Sequence, residues 1–95
     1  MSVNDALAVT SGTAALKVAL EALGIKRGDE VITSAFTFVA TVEAIVETRA
    51  VPVIANIDKT LNISVTDIES KITSKTKAII IIHMLGVATD MDAII

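Results

Sequence analysis

Five apolar residues in a row, Ala78-Ile79-Ile80-Ile81-Ile82, constrain this chain more than any other stretch. A strand with one wet face alternates apolar and polar side chains. A run without alternation suits a strand covered on both sides, as in a parallel sheet sandwiched between helices. The run therefore predicts a central strand over residues 77–82, and it is far too short to span a bilayer. Three further strand-like runs precede it: Leu7-Ala8-Val9, Glu30-Val31-Ile32-Thr33 and Val51-Pro52-Val53-Ile54-Ala55. Pro52 cannot donate to a ladder, so it is tolerable only in the first residues of its strand or on a sheet edge.

Helical patterns separate these runs. A helix over residues 13–23 puts Leu16, Leu20 and Leu23 on one stripe and Lys17 with Glu21 on the other side, and Gly24 ends it. A second, over 37–48, presents Val39, Val42, Ile45 and Val46, with Glu43 and Glu47 outside. After the short extended piece Leu61-Asn62-Ile63, Ser64-Val65-Thr66-Asp67 resembles a capping box with Asp in place of Glu and opens a third helix. A fourth begins at Asp90. Strand–helix alternation predicts an α/β fold, a mostly parallel sheet flanked by helices, in a chain long enough for one domain or part of one.

Composition narrows the function. Apolar residues make up 53% of the chain, yet only Phe36 and Phe38 are aromatic, and eight basic against eleven acidic side chains leave a net charge of -3. Without a basic stripe or stacking surface, nucleic acid is not the expected partner. No cysteine is present, which removes disulfides and thiolate metal sites. No basic segment followed by a long apolar one opens the chain, so neither secretion nor a membrane is expected and the cytoplasm is the default location.

The chemistry gathers between the first strand-like run and the first helix, at Ser11-Gly12-Thr13-Ala14. Unpaired amides at a helix N-terminus, the positive end of the helix dipole and a Gly that admits close approach together suit a phosphate, with the hydroxyls of Ser11 and Thr13 assisting. An ordinary βα turn with a Ser cap has the same outline. His83 leaves the strand at 77–82 at its carboxyl end, where ligands gather in open α/β sheets; a structural hydrogen-bonding role suits it equally.

The segments VTSGTAAL, ALGIKRGDEVI, FTFVATVEAI, IESKITSKTKAIIIIH and DMDAI, in that order, resemble the DegT/StrS family of sugar aminotransferases, pyridoxal-phosphate enzymes of the aspartate-aminotransferase (type I) fold. The likeness runs over essentially the whole chain. It implies that residues 1–95 are a single partial domain, the N-terminal part of the large, cofactor-binding α/β domain. It further implies that Gly12, Thr13 and Ala14 hold the cofactor phosphate through backbone amides with Ser11 as cap, and that Phe38 stacks on the pyridine ring. Without the resemblance, Phe38 is a core residue at a helix start. His83 is implied to lie close to the active site.

The chain departs from the pattern in places. Arg49 stands where the family usually has the Gly of a helix end, a position that favours positive φ. The turn Asp58-Lys59-Thr60 is one residue short, and Ile81 replaces a Pro. The family's pyridine-nitrogen aspartate and Schiff-base lysine fall beyond the matched segments, and Lys17, Lys26, Lys59, Lys71, Lys75 and Lys77 all have the setting of solvated surface lysines. The resemblance thus implies a segment of an aminotransferase, or of a related dehydratase, whose parent acts on a keto sugar of the nucleotide-linked kind, with the segment inactive alone. A phosphate-binding module without covalent cofactor chemistry and a self-associating structural protein are the alternatives. Near-continuous apolar strands with too few helices to cover them predict a homo-oligomer in each case.

Overall fold

The computed structural model describes residues 3–95. Strands β1 (Glu30–Ser34), β2 (Val51–Ala55) and β3 (Thr76–Ile79) form one parallel sheet in the order β2-β1-β3. Helices α1 (Gly12–Ala22), α2 (Val39–Glu47), α3 (Val65–Lys71) and α4 (Met91–Ile94) surround it, with a single 3-10 turn at Met84–Gly86. Successive residues of a strand face opposite ways, and the core divides accordingly. Val31, Ala78 and Ile80 pack with Leu16 and Leu20 of α1 and Ala44 and Ile45 of α2. On the other face Ile32, Val53 and Ile79 pack with Ile63, Ile68 of α3 and Ile94 of α4. The parallel sheet flanked by helices is the expected architecture.

The centre of the sheet is β1. It pairs on both sides, and Val31, Ile32, Thr33 and Ser34 are all buried. The apolar run at 77–82 was expected there, but among the described residues β3 has a ladder partner on one side only and lies at an edge. Burial on two faces needs helices, whereas centrality needs a second neighbour, and an apolar run reports only the first. Pairing still continues past β3, since the Ile80 amide donates to the Ile32 carbonyl at 2.8 Å. A register shift between Glu30 and Val31 leaves Lys77 opposite no residue of β1, and it is exposed. Pro52 sits second in β2, on the other edge, where its missing N–H is harmless.

Leu7-Ala8-Val9 does not form a strand. All three are exposed, Leu7 by 75%, because a strand exists only through pairing and no described segment pairs with this one. The first helix follows as expected. The N–H of Ala14 donates to Ser11 Oγ at 3.1 Å at its start. At its end Gly24, at φ 77, donates to Glu21 and Ile25 donates to Leu20, the paired bonds of a Schellman cap. Leu23 lies beyond the last turn and is exposed, so the inward stripe is buried Leu20 with half-buried Leu16. Lys17 reaches across to Glu47 of α2 rather than to Glu21, and that carboxylate holds its ammonium above the usual lysine range.

In α2 the buried residues are Thr41, Ala44 and Ile45, while Val39 and Val46 are exposed. The inner face thus combines Ile45 with the smaller Thr41 and Ala44, and Ala44 and Ile45 pack in the same cluster as Leu16 and Leu20 of α1. Arg49 follows the α2 cap with φ 65, the left-handed conformation expected at that position. At α3, the N–H of Asp67 donates to Ser64 Oγ, but the Asp67 carboxylate accepts from Asn56 at 2.6 Å instead of completing the reciprocal box. Leu61 is left-handed too, at φ 68, so the piece before Ile63 is a tight turn rather than an extended one.

Candidate functional site

Parallel strands deliver their carboxyl ends to one rim. The β1–α2 junction 35–38 and His83, after the extended continuation of β3, both lie there. α1 joins the amino end of the sheet through Ile25 and the loop to β1, whose Asp29 carbonyl accepts from Val51. Its 11 residues extend about 16 Å, which carries Ser11 to Ala14 back along the sheet toward the same rim. Topology thus brings the expected site residues to one end of the sheet, although no hydrogen bond joins Ser11 to Ala14 with Phe38 or His83 among the described residues.

At the α1 start Ser11 is extended, at φ -161 and ψ 165. Its carbonyl accepts from Ala15 and its Oγ from Ala14, which leaves the hydroxyl proton to donate elsewhere. The amides of Gly12 and Thr13 have no partner among the described residues. A Cβ built at Gly12 would meet nothing within 4 Å, and its φ is not in the left-handed region. Neither backbone conformation nor packing within this chain calls for glycine there, although glycine weakens a helix by about 0.5–1 kcal/mol relative to alanine. The open space over two unpartnered amides and a donating hydroxyl fits the close approach of a phosphate group. Ala14, expected to share that role, has already given its amide to the cap.

The β1–α2 junction is stiffened from below. Buried Ser34 accepts from the Phe36 amide at 3.1 Å, the Ala35 amide donates to Ala55 at 2.8 Å, and the hydroxyls of Thr37 and Thr41 bond at 2.9 Å. Phe38 caps α2 with no side-chain bond and is 77% exposed, so it is not the core residue that its position at a helix start otherwise suggests. Its ring is displayed at the rim.

His83 is exposed, and its Nδ1 accepts from the Thr89 amide at 3.0 Å. A nitrogen that accepts from an N–H carries no proton, so the neutral ring has its proton on Nε2. Sequence reasoning passed over the residue behind this arrangement. Asn62 is only 3% exposed; its Oδ1 accepts from Met84 at 2.9 Å and its Nδ2 donates to Val87 at 3.1 Å. The signal available was an Asn inside an apolar stretch, a residue type that is seldom buried unless its hydrogen bonds are met.

The lysines keep to the outside: Lys26, Lys59, Lys75 and Lys77 are exposed, while Lys17 and Lys71 pair with Glu47 and Asp67. Among the described residues no group of three His, Cys, Asp or Glu could hold a metal ion, and no helix is long and apolar enough to cross a membrane. A groove of about 260 Å³ lies elsewhere, between α3, β3 and α4, lined by Val65, Ile68, Ile72, Ile79 and Ile94 with Glu69; none of the expected site residues borders it.

A sequence model of the DegT/DnrJ/EryC1/StrS aminotransferase family matches residues 1–95. A GDP-perosamine synthase of Vibrio cholerae is 45% identical over 95 residues, which cover 99% of this chain and 26% of that protein. A crystal structure of 3-amino-5-hydroxybenzoic acid synthase superposes with a TM-score of 0.91 at 42% identity, over 93% of this chain and 23% of that one. NtdA from Bacillus subtilis, solved with its cofactor PMP bound, superposes at 0.84 with 40% identity, over 87% and 19%. The chain therefore spans about a quarter of the length of such relatives.

Proposed function

The chain belongs to the DegT/DnrJ/EryC1/StrS aminotransferase family, and on that premise we propose that residues 1–95 are the N-terminal part of the cofactor-binding domain of a pyridoxal-phosphate-dependent aminotransferase acting on a nucleotide-linked keto sugar. One observation carries this reading: glycine at position 12, over open space and beside two unpartnered amides, in a chain whose own packing does not ask for it. In this reading Ser11 donates its hydroxyl proton to the phosphate, and Gly12 and Thr13 donate their amides, reinforced by the positive end of α1. Ala14 acts through the Ser11 cap. Phe38 covers one face of the pyridine ring, and His83 offers its Nε2 proton at the rim. Bound pyridoxal phosphate supplies the electron sink that amino-group transfer requires.

A lysine must also serve as covalent partner and proton carrier, and none of the six here suits that task, being either exposed or paired at the surface. These residues by themselves are therefore proposed to hold cofactor without transamination. The sugar class draws support from the name of the V. cholerae relative. Exposed Leu7, Phe36, Phe38, Val39, Val51 and Ile54 support self-association into a homo-oligomer, for which the cytoplasm is the proposed location.

Titration with pyridoxal 5′-phosphate and, separately, inorganic phosphate, followed by amide NMR, tests the cradle. Gly12 and Thr13 should shift most with both; shifts confined to the α3–α4 groove would refute the assignment. Borohydride reduction and peptide mapping after incubation with pyridoxal phosphate should show no dominant modified lysine. Sedimentation over a hundredfold concentration range checks the oligomer, and a compact monomer throughout would count against it.

A further inference from the structure

We propose that Asn62 is a positioning residue, an amide clamp that holds the turn after His83 and so fixes His83 as a one-sided hydrogen-bond donor at the carboxyl rim of the sheet. Its relevance to the reaction rests on the cofactor reading above. The turn it holds carries one unfavourable residue, Leu85, at φ 51 and 87% exposed. Gly86, at φ 82, suits its place, and the turn closes on itself through the Gly86 amide to His83 at 3.1 Å and the Val87 amide to Met84 at 2.9 Å, but these internal bonds do not tie it to the rest of the fold. Asn62 reaches it from the β2–α3 connection, far away in sequence. The Val87 amide already donates to the Met84 carbonyl, which leaves the Met84 N–H and the Val87 carbonyl for the side chain, so the two bonds fix which end of the amide faces which residue.

His83 immediately precedes this turn, and two bonds complete the hold. The Thr89 amide donates to His83 Nδ1, and the buried Thr89 hydroxyl donates to the Ile82 carbonyl at 3.2 Å. Thr89 can meet the ring only if the intervening 84–87 turn keeps its course, and Asn62 bonds the backbone at both ends of that turn. The result is an exposed imidazole whose Nδ1 is occupied and whose Nε2 proton points away from that bond. Such a group suits an anionic or carbonyl oxygen of a ligand at the rim and is unsuited to accept a proton through Nδ1.

The test needs no ligand at first. Imidazole ¹⁵N shifts of the wild-type chain should show one tautomer, with the proton on Nε2, and the Met84 amide should exchange slowly. Asn62→Ala should average the tautomers and speed Met84 exchange at least tenfold while Ile32, in the sheet centre, is unchanged. Retention of the single tautomer with Met84 exchange within twofold of wild type would overturn the clamp. Should the alanine variant lose protection at Ile32 as well, Asn62→Asp decides. It keeps the acceptor for Met84 but removes the donor to Val87, so it should preserve Met84 protection and still loosen the tautomer; a wild-type tautomer in that variant overturns the proposal. Pyridoxal 5′-phosphate is then added. Absence of shifts at Gly12 and Thr13 in the wild type would count against the cofactor reading, independently of the tautomer result. Shifts there accompanied by a His83 shift in the wild type and not in Asn62→Ala tie the clamp to the site.

Discussion

Between Val31 and Phe38 the chain passes from complete burial to 77% exposure without leaving one strand and its following turn. In β1 every side chain is chosen by neighbours within the molecule: Val31 by α1 and α2, Ile32 by α3 and the loop before it. At the rim the relation inverts. Phe38 touches little, Gly12 faces open space, two amides lack partners and Leu85 is exposed in a left-handed turn. Rim residues make poor sense as contributors to this fold and good sense as groups held ready for something outside it. The strand is where stability resides, and the rim is where stability has been given up for presentation.

The sharpest way to break that contrast is a pair of alanine substitutions. Ile32→Ala should cost about 2–5 kcal/mol of unfolding free energy through the cavity it leaves. Phe38→Ala should stay within about 0.5 kcal/mol, as for an exposed site. Comparable losses in urea titrations would mean that the ring packs after all.

Next in size is Gly12→Ala. The fold should be unchanged or gain up to about 1 kcal/mol, because glycine is a weak helix residue, while phosphate affinity should fall at least tenfold, about 1.4 kcal/mol. Parallel loss of stability and binding would show that Gly12 serves the chain and not a ligand. Arg49→Gly probes strain at the opposite end of the sheet. Relief of the left-handed arginine should raise stability by about 0.5–1 kcal/mol with no change in phosphate binding.

The smallest expected effect is a pH dependence at the end of β2. The Lys71 ammonium, with the Asn56 amide, holds the Asp67 carboxyl below the usual carboxylate range. A lowered folded value means that this carboxylate favours the fold above its ordinary pKa, and that the contribution fades as pH falls through the depressed one. The protection of the Asn56 amide, its exchange rate taken relative to the intrinsic rate at each pH, should therefore fall on acidification and lose that dependence in Asp67→Asn.

Local signals were legible in the sequence and relational ones were not. The Ser11 and Ser64 caps, the Gly24 stop and the place of Pro52 near the start of an edge strand each follow from a residue and its immediate neighbours, whereas the left-handed Arg49 followed from the family resemblance. Whether Leu7-Ala8-Val9 or the isoleucine run has a neighbour depends on what lies beside it in space, which apolar character does not encode. Lys17 chose Glu47 over Glu21 for the same reason, since a second helix brought a better-placed carboxylate. At the site, the turn 11–14, Phe38 and His83 stand out as residue types in suggestive places. Asn62 stayed hidden, because its importance lies in two backbone atoms more than twenty positions away in the chain.

Because the sheet order is β2-β1-β3, its most buried strand is also the one that must wait during synthesis. Once residue 55 has been made, β1 can pair with β2 through α2, but its second edge stays open until Thr76 to Ile79 arrive. At about 5–20 residues per second the delay is on the order of seconds, long compared with the microseconds in which a local hairpin forms and comparable to the times of association between chains. A nascent chain of this kind therefore carries an apolar, half-paired strand through the interval in which other strands, including those of its own copies, can reach it. When β3 closes that edge, the exposed charge of Lys77, which the register passes over, stands on the strand that now borders the sheet among the described residues.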